Sequence, residues 1–212
     1  MSDASAPADF DLLETIKWTP TDGFFLLDRH IRRMQGSAEF FRYAWNETGI
    51  RSELDRSVAG KTAAERIRLL VSRTGKIRVE SKPLDPPGAV PARLGIAAAP
   101  IDPANVFLFH KTTHRVMYTA AAQPDRDDVV LWNPSGDVTE TTFGNVVVEM
   151  DGRRVTPPAT AGLLAGTFRG ELLDRGEIVE GRITLDDLKA ATRVWLINSV
   201  REWWPATIER QA

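Results

Sequence analysis

Residues 83–91, PLDPPGAVP, hold four prolines in nine positions. No helix interior and no central strand tolerates that density, because each proline lacks the N–H that either ladder needs. The chain must therefore fold as two pieces joined by a connector. A second break at 100–104 (PIDPA) widens the changeover to residues 83–104. A length of 212 residues suits this, with enough chain for one large domain or two small ones and a core that needs no staples. The expected sub-domains are 10–92 and 93–212.

The first piece reads as an antiparallel sheet with helices on one side. Residues 10–18 (FDLLETIKW) form a strand, 19–23 (TPTDG) a turn, and 24–27 (FFLL) the returning strand of a hairpin. Asp28 is placed to cap a helix of about 15 residues, along which Ile31, Met34, Ala38 and Phe41 form one apolar stripe. Arg29, Arg32, Arg33 and Arg42 lie mostly off that stripe. Residues 61–66 (KTAAER) read as the end of a second short helix. Strands at 67–72 and 77–81 flank the turn 73–76 (RTGK).

In the second piece, 94–99 is a short apolar strand and 112–122 a helix. Strands follow at 129–132 and from 138 onward, with 145–149 (NVVVE) as the core of the latter. Asn133-Pro134-Ser135-Gly136 and Asp151-Gly152 are turns, helices start at 168 and 185, and 194–197 (VWLI) is a final buried strand. The whole is α+β in two halves, without internal repeats or low-complexity tracts.

Composition narrows the chemistry. The 27 basic and 29 acidic side chains leave a formal net charge of −2, so the chain as a whole is no polyelectrolyte built for nucleic acid. Zero Cys excludes a disulfide scaffold, thiolate-bound zinc, iron–sulfur clusters and a thiol nucleophile, and three His leave little for an all-His metal site. Residues 1–9 (MSDASAPAD) have neither a basic nor an apolar region, so no signal peptide is expected. No apolar run is long enough to span a membrane. The expected setting is the cytoplasm.

Five features can carry chemistry. Lys111, at the expected start of the 112–122 helix, sits where cations are disfavoured. A Lys beside a helix start and Arg115 is a candidate for covalent chemistry on a carbonyl, although a lone Lys is most often solvated. Glu140, in Thr139-Glu140-Thr141-Thr142, reads as a strand-edge polar residue or as a carboxylate aimed at a cationic ring nitrogen. The run 162–170 (GLLAGTFRG) opens a helix and can hold a phosphate on its first N–H groups, yet it is neither a P-loop nor a dinucleotide fingerprint. Asn198-Ser199, at a strand end, can reach a phosphate as well. Arg29, His30, Arg32 and Arg33 form a basic cluster with no interleaved aromatics of the RNA-binding type.

Taken together and in order, these stretches resemble the class IV (fold type IV) pyridoxal-phosphate enzymes, a family of branched-chain and D-amino-acid aminotransferases and aminodeoxychorismate lyases. The stretches are Leu12–Ile16, Leu27–Met34 with Ser37 and Ala38, His110–Arg115 with Tyr118, Val138–Thr142 with Asn145, Thr156–Pro158, Gly162–Arg169 and Asn198–Arg201. The resemblance implies two sub-domains of the D-amino-acid-aminotransferase type, the second β-barrel-like, with pyridoxal 5'-phosphate in the cleft between them. It puts Arg33 on the cofactor phosphate, Lys111 on the cofactor carbonyl carbon as catalytic lysine, and Glu140 on the pyridine nitrogen. Leu164 packs on the ring, Gly166 and Thr167 hold the phosphate with backbone amides, and Ser199 and Val200 complete the phosphate cup. Arg115 sits near the phenolic oxygen, and Asn145 supports the residues around it.

His110-Lys111-Thr112-Thr113 and Asn198-Ser199-Val200-Arg201 look most like aminodeoxychorismate lyases. Such an enzyme converts 4-amino-4-deoxychorismate to 4-aminobenzoate, a folate precursor, and pyruvate. An aminotransferase acting on branched-chain or D-amino acids and a non-catalytic binding partner are the alternatives. The resemblance further implies a small-molecule substrate, a homodimer, and association with the aminodeoxychorismate synthase subunit, without nucleic acid or membrane. The chain departs from the family pattern in lacking the usual segment ahead of Phe10, in Ala165 where Pro is common, and in the sequel Glu202-Trp203-Trp204-Pro205. With these departures, the resemblance supports the cofactor half more fully than the substrate half.

Overall fold

The computed structural model describes residues 9–85 and 90–208. The leader reading of residues 1–9 and the middle of the proline connector, 86–89, lie almost wholly outside the described residues. The chain divides into two compact units, residues 1–84 with 110–115, and residues 85–109 with 116–212.

The first unit is a four-stranded antiparallel sheet in the order β2-β1-β3-β4, formed by β1 (Leu12–Thr19), β2 (Gly23–Phe24), β3 (Glu65–Val71) and β4 (Ile77–Pro83). Leu12 pairs with Val71 and Trp18 with Glu65, so the ladder covers all of β1 but its last residue. Helix α1 (Leu27–Phe41) packs on β1 through buried Ile31, Met34 and Ala38, the expected stripe. Helix α2 (Glu47–Val58) packs on β4 and buries Ile50, Leu54 and Val58, spaced four apart on one face. Burial of each such side chain contributes roughly 1.5–3 kcal/mol.

Three local expectations need correction here. The hairpin's return strand stops at Phe24, because Leu26 adopts a left-handed conformation (φ 54°) and turns the chain directly into α1. Asp28 is therefore not the cap. It lies in the first turn, where its charge suits the helix dipole and accepts a 2.7 Å bond from Arg51. The second helix is α2, capped by Asn46 accepting from the Gly49 N–H, while residues 61–64 are irregular and Glu65 already belongs to β3.

The second unit is an eight-stranded mixed sheet ordered β10-β9-β8-β11-β12-β5-β6-β7. Its strands are β5 (Ala92–Ile96), β6 (Asp128–Trp132), β7 (Val138–Thr141), β8 (Asn145–Met150), β9 (Arg153–Thr156), β10 (Val179–Glu180), β11 (Val194–Asn198) and β12 (Glu202–Ile208). β12–β5, β5–β6 and β9–β10 are parallel and the other pairs antiparallel. A tight turn, Thr141 N–H to Gly144 C=O at 2.8 Å, carries the edge strand β7 into β8, so the sheet curls into a half-barrel. Ala92, Leu94, Val130, Val138, Val146, Val148, Ile183, Leu188 and Val194 fill its core. Helices α3 (Val116–Ala121), α4 (Thr167–Asp174) and α5 (Leu185–Ala190) complete the unit.

Two further differences concern function. The expected helix from Thr112 begins only at Val116, because Thr112 bridges Leu12 on β1 instead. Lys111 is therefore not at a helix start, and the helix-dipole argument for its reactivity falls away. The strand at 194–197 is followed by another, β12. Its Pro205 sits one residue before pairing with β5 begins at Ala206, where its missing N–H costs that ladder nothing. Among the described residues, no helix is long and apolar enough to cross a membrane.

Candidate active site

In the first unit, two side chains converge on one carboxylate. Glu14 lies on the inner face of β1 with Leu12, Ile16 and Trp18 and is 1% exposed. Arg33 grips it with two parallel bonds, Nε to Oε1 at 2.8 Å and Nη2 to Oε2 at 2.7 Å. His30 Nδ1 lies 2.6 Å from Oε2. His30 and Arg33 are one helical turn apart on α1, so both face the strand. Burial alone would raise the Glu14 carboxyl, but the Arg33 charge and the hydrogen bonds from His30 and Arg33 outweigh it and hold the carboxyl at about 2. Burial lowers His30, the Glu14 charge and hydrogen bond oppose this without cancelling it, and the charges of Arg33 and Lys111 add to the lowering. The imidazole is thus neutral at pH 7, with its proton on Nδ1 to serve the carboxylate, and Arg33 supplies the compensating charge.

Lys111 belongs to this unit because residues 111–113 pair with the start of β1 around the Thr112–Leu12 bridge. The Lys111 carbonyl accepts from the Leu13 N–H (3.0 Å), the Thr113 N–H donates to the Asp11 carbonyl (2.9 Å), and the Asp11 N–H donates to Thr113 Oγ1 (2.9 Å). A relay then ties the lysine to α1. Ser37 Oγ donates to the Arg33 carbonyl (3.1 Å) and lies 3.0 Å from His110 Nδ1. The His110 ring stacks on Phe40 at 4.4 Å, and burial lowers its proton affinity. Backbone on one side and α1 on the other fix the lysine's attachment point. Arg115 closes the segment, half-buried.

In the second unit, Glu140 sits on a β-bulge. β7 pairs Val138 with Trp132 and Thr141 with Val130, so Thr139 and Glu140 together oppose Leu131 alone. A bulge of this kind re-aims a side chain without breaking the sheet. Glu140 is 3% exposed, and its Oε1 accepts from Tyr118 Oη at 2.8 Å. Beside it, Thr139 Oγ1 is buried with no hydrogen-bond partner among the described residues. The turn after β7 is held by Asp128. Its Oδ1 accepts from the N–H groups of Val129 (2.7 Å) and Thr142 (3.0 Å) and from Thr142 Oγ1 (2.6 Å), and its Oδ2 accepts from the Phe143 N–H (3.2 Å).

The glycine loop is built around Asn145. Its Nδ2 donates to the Leu164 carbonyl at 2.9 Å, and a Cβ at Gly166 would fall 2.1 Å from its Oδ1. A side chain at 166, immediately before Thr167 opens α4, would have to displace the Asn145 amide that holds Leu164. Gly166 is the N-cap and makes no side-chain cap bond. After β11, Asn198 Oδ1 accepts from the N–H groups of both Val200 and Arg201 at 2.9 Å, a side-chain-closed turn that leaves Ser199 buried at its corner. The Val200 amide is therefore engaged within the chain.

The first unit thus brings Arg33 and Lys111, with Arg115, onto one framework of α1 and β1. The second brings Asn145, Leu164, Gly166 and Thr167 into one loop and sets Glu140 and the Ser199–Val200 turn at strand ends. Glu14, His30, Tyr118 and Asp128 carry no role in the sequence reading. The first had a readable signal, a carboxylate at a core-facing position of the apolar strand LLETIKW, which demands a buried partner. Among the described residues, no group of His, Asp and Glu is arranged to hold a metal ion.

The comparisons with known proteins agree on one family. The family model described as "Amino-transferase class IV" matches residues 11–208, nearly the whole chain. The chain belongs to the class IV aminotransferase family. A Schizosaccharomyces pombe protein named "Putative aminodeoxychorismate lyase" is 35% identical over 204 residues, covering 91% of this chain and 87% of its own. A solved structure described as a "Putative amino-acid aminotransferase" from Mesorhizobium loti has a TM-score of 0.90 at 35% identity, covering 95% of this chain and all of that one. The 4-amino-4-deoxychorismate lyase from Pseudomonas aeruginosa, at 20% identity and a TM-score of 0.74 over 93% of this chain and 82% of its own, shares the fold. Class IV members are pyridoxal-phosphate-dependent enzymes, and this chain is one of them. The residues present fit that group. They supply an amine, a guanidinium backed by a carboxylate, a second buried carboxylate beside an unsatisfied hydroxyl, and a helix start whose glycine sets no side chain against the Asn145 amide.

Proposed function

We propose that the chain is an aminodeoxychorismate lyase, converting 4-amino-4-deoxychorismate to 4-aminobenzoate and pyruvate. The observation that carries this reading is the 35% identity to the Schizosaccharomyces pombe protein over nine-tenths of both chains. In this reading Lys111 holds the cofactor, Arg33 and the Gly166–Thr167 helix start take its phosphate with Ser199, while Val200, its amide held by Asn198, only shapes the turn, and Glu140 faces its ring nitrogen. Leu164 covers the ring, Arg115 lies toward its phenolic oxygen, and Asn145 shapes the loop. Bound pyridoxal phosphate supplies the electron sink for the carbanion formed at the substrate's amine-bearing carbon. With pyridoxal phosphate bound, Lys111 Nζ would be the base that takes the substrate's C4 proton. The C3–O bond then breaks, the ring becomes aromatic, and Lys111 returns the proton to the departing enolpyruvate, which leaves as pyruvate. Atoms and electrons balance without an external oxidant.

The test is direct. Protein reconstituted with pyridoxal phosphate and given 4-amino-4-deoxychorismate should release equimolar 4-aminobenzoate and pyruvate. Lys111→Ala should abolish both the turnover and the visible absorption of the lysine-bound cofactor. A second reading, an amino-acid aminotransferase, is favoured by the likeness to the Mesorhizobium loti protein. An amino donor alone would then convert the cofactor stoichiometrically to its amine form while the lyase assay stays silent, and that result would replace the first reading.

A further inference from the structure

We propose that Tyr118 is a positioning residue for Glu140, keeping that carboxylate ionised so that the cofactor's ring nitrogen stays protonated. This rests on the reading of Glu140 given above and goes beyond it.

Both groups belong to the second unit, and both are buried, Tyr118 at 7% and Glu140 at 3% exposure. The phenol donates to Glu140 Oε1 at 2.8 Å. The tyrosine ring is locked in a cluster of Ala97, Ile101, Leu108, Val129 and Leu131. Its hydroxyl is therefore delivered to one point, and the β7 bulge delivers the carboxylate to the same point. The bulge lies opposite Leu131, one of the residues that hold the tyrosine, so a single stretch of β6 positions both partners.

Burial by itself disfavours a carboxylate anion, whereas a donated phenol O–H favours it. When a buried carboxylate faces a pyridine nitrogen, one proton is shared between them. A donor on the carboxylate's other side shifts that proton toward the ring. Without the phenol the proton moves back to the carboxylate, and the neutral ring is a poorer electron sink. A tyrosine that merely satisfied a buried polar group would affect stability and leave this proton alone.

The experiment compares the full-length apoprotein's affinity for pyridoxal phosphate with that for its 1-deaza analogue, in which C–H replaces the ring nitrogen. The ring-nitrogen NMR signal of the 15N-labelled cofactor is read alongside. Wild type should prefer the nitrogen-containing cofactor, Glu140→Gln should lose the preference, and Tyr118→Phe should reduce it by about tenfold, as expected for a hydrogen bond to a charged group. In Tyr118→Phe the nitrogen signal should move toward the unprotonated position. If Glu140→Gln loses the preference while Tyr118→Phe keeps both ratio and signal at wild-type values, the proposal for Tyr118 is overturned and the reading of Glu140 stands. If Glu140→Gln keeps the preference, both are overturned.

Discussion

Glu14 binds an arginine and a histidine where water does not reach, and its titration has consequences for the whole protein. Its folded-state carboxyl lies at about 2 against an ordinary 4.5, so its stabilisation is full above pH 4.5 and lost as pH falls toward 2. The difference amounts to about 3 kcal/mol. His30 is also held below its ordinary 6.5, so burying it neutral begins to cost stability as pH falls through that value. Urea midpoints should therefore decline from about pH 6.5 and more steeply below 4.5. In Glu14→Gln the lower limb should flatten while overall stability drops by roughly 2–4 kcal/mol, because the Arg33 charge loses its partner. An unchanged pH profile in that variant would refute the role of the cluster. At this scale the sequence was partly legible. Arg33, Lys111 and Glu140 stood out by residue type and order, but Glu14 and Tyr118 act through contacts 19 and 22 residues away, which local spacing does not reveal.

Elements were most legible where their own residues determine them. The α1 stripe, the Asn133–Gly136 turn and the Asp151-Gly152 hairpin all follow local chemistry, and the structure contains each of them. The misreadings occur where distant pairing outweighs local preference. Thr112 and Thr113 bond to β1 rather than start a helix, and Pro205 is accommodated because its neighbour strand begins one residue later. The turn joining β7 to β8 shows the same non-local control, since Asp128 on another strand holds Thr142 and Phe143. Asp128→Ala would leave three buried or half-buried N–H groups without that acceptor. It should cost about 2–3 kcal/mol in chemical denaturation. Amide exchange at Thr142 and Phe143 should accelerate well beyond that of the β8 core, and equal protection in variant and wild type would show that the turn holds itself.

For the molecule as a whole, the division into two units was legible from the prolines, whereas the return of residues 110–115 to the first unit was not. No composition shift marks that segment, and its affiliation rests on backbone bonds to Asp11 and Leu13. Cooperative opening follows affiliation rather than sequence proximity. Native-state hydrogen exchange should therefore show Leu13 and Thr113 opening with β1 and β3, at a free energy distinct from that of Val116–Ala121. Exchange of Thr113 in step with α3 would contradict this. The same feature sets an order of events during biosynthesis. A chain emerging from the ribosome presents β1 to β4 first, yet the edge of β1 waits about 25 residues of second-unit sequence for its last partner. When that partner arrives it brings Lys111 with it, so the lysine is fixed only after the surface that holds it has been made.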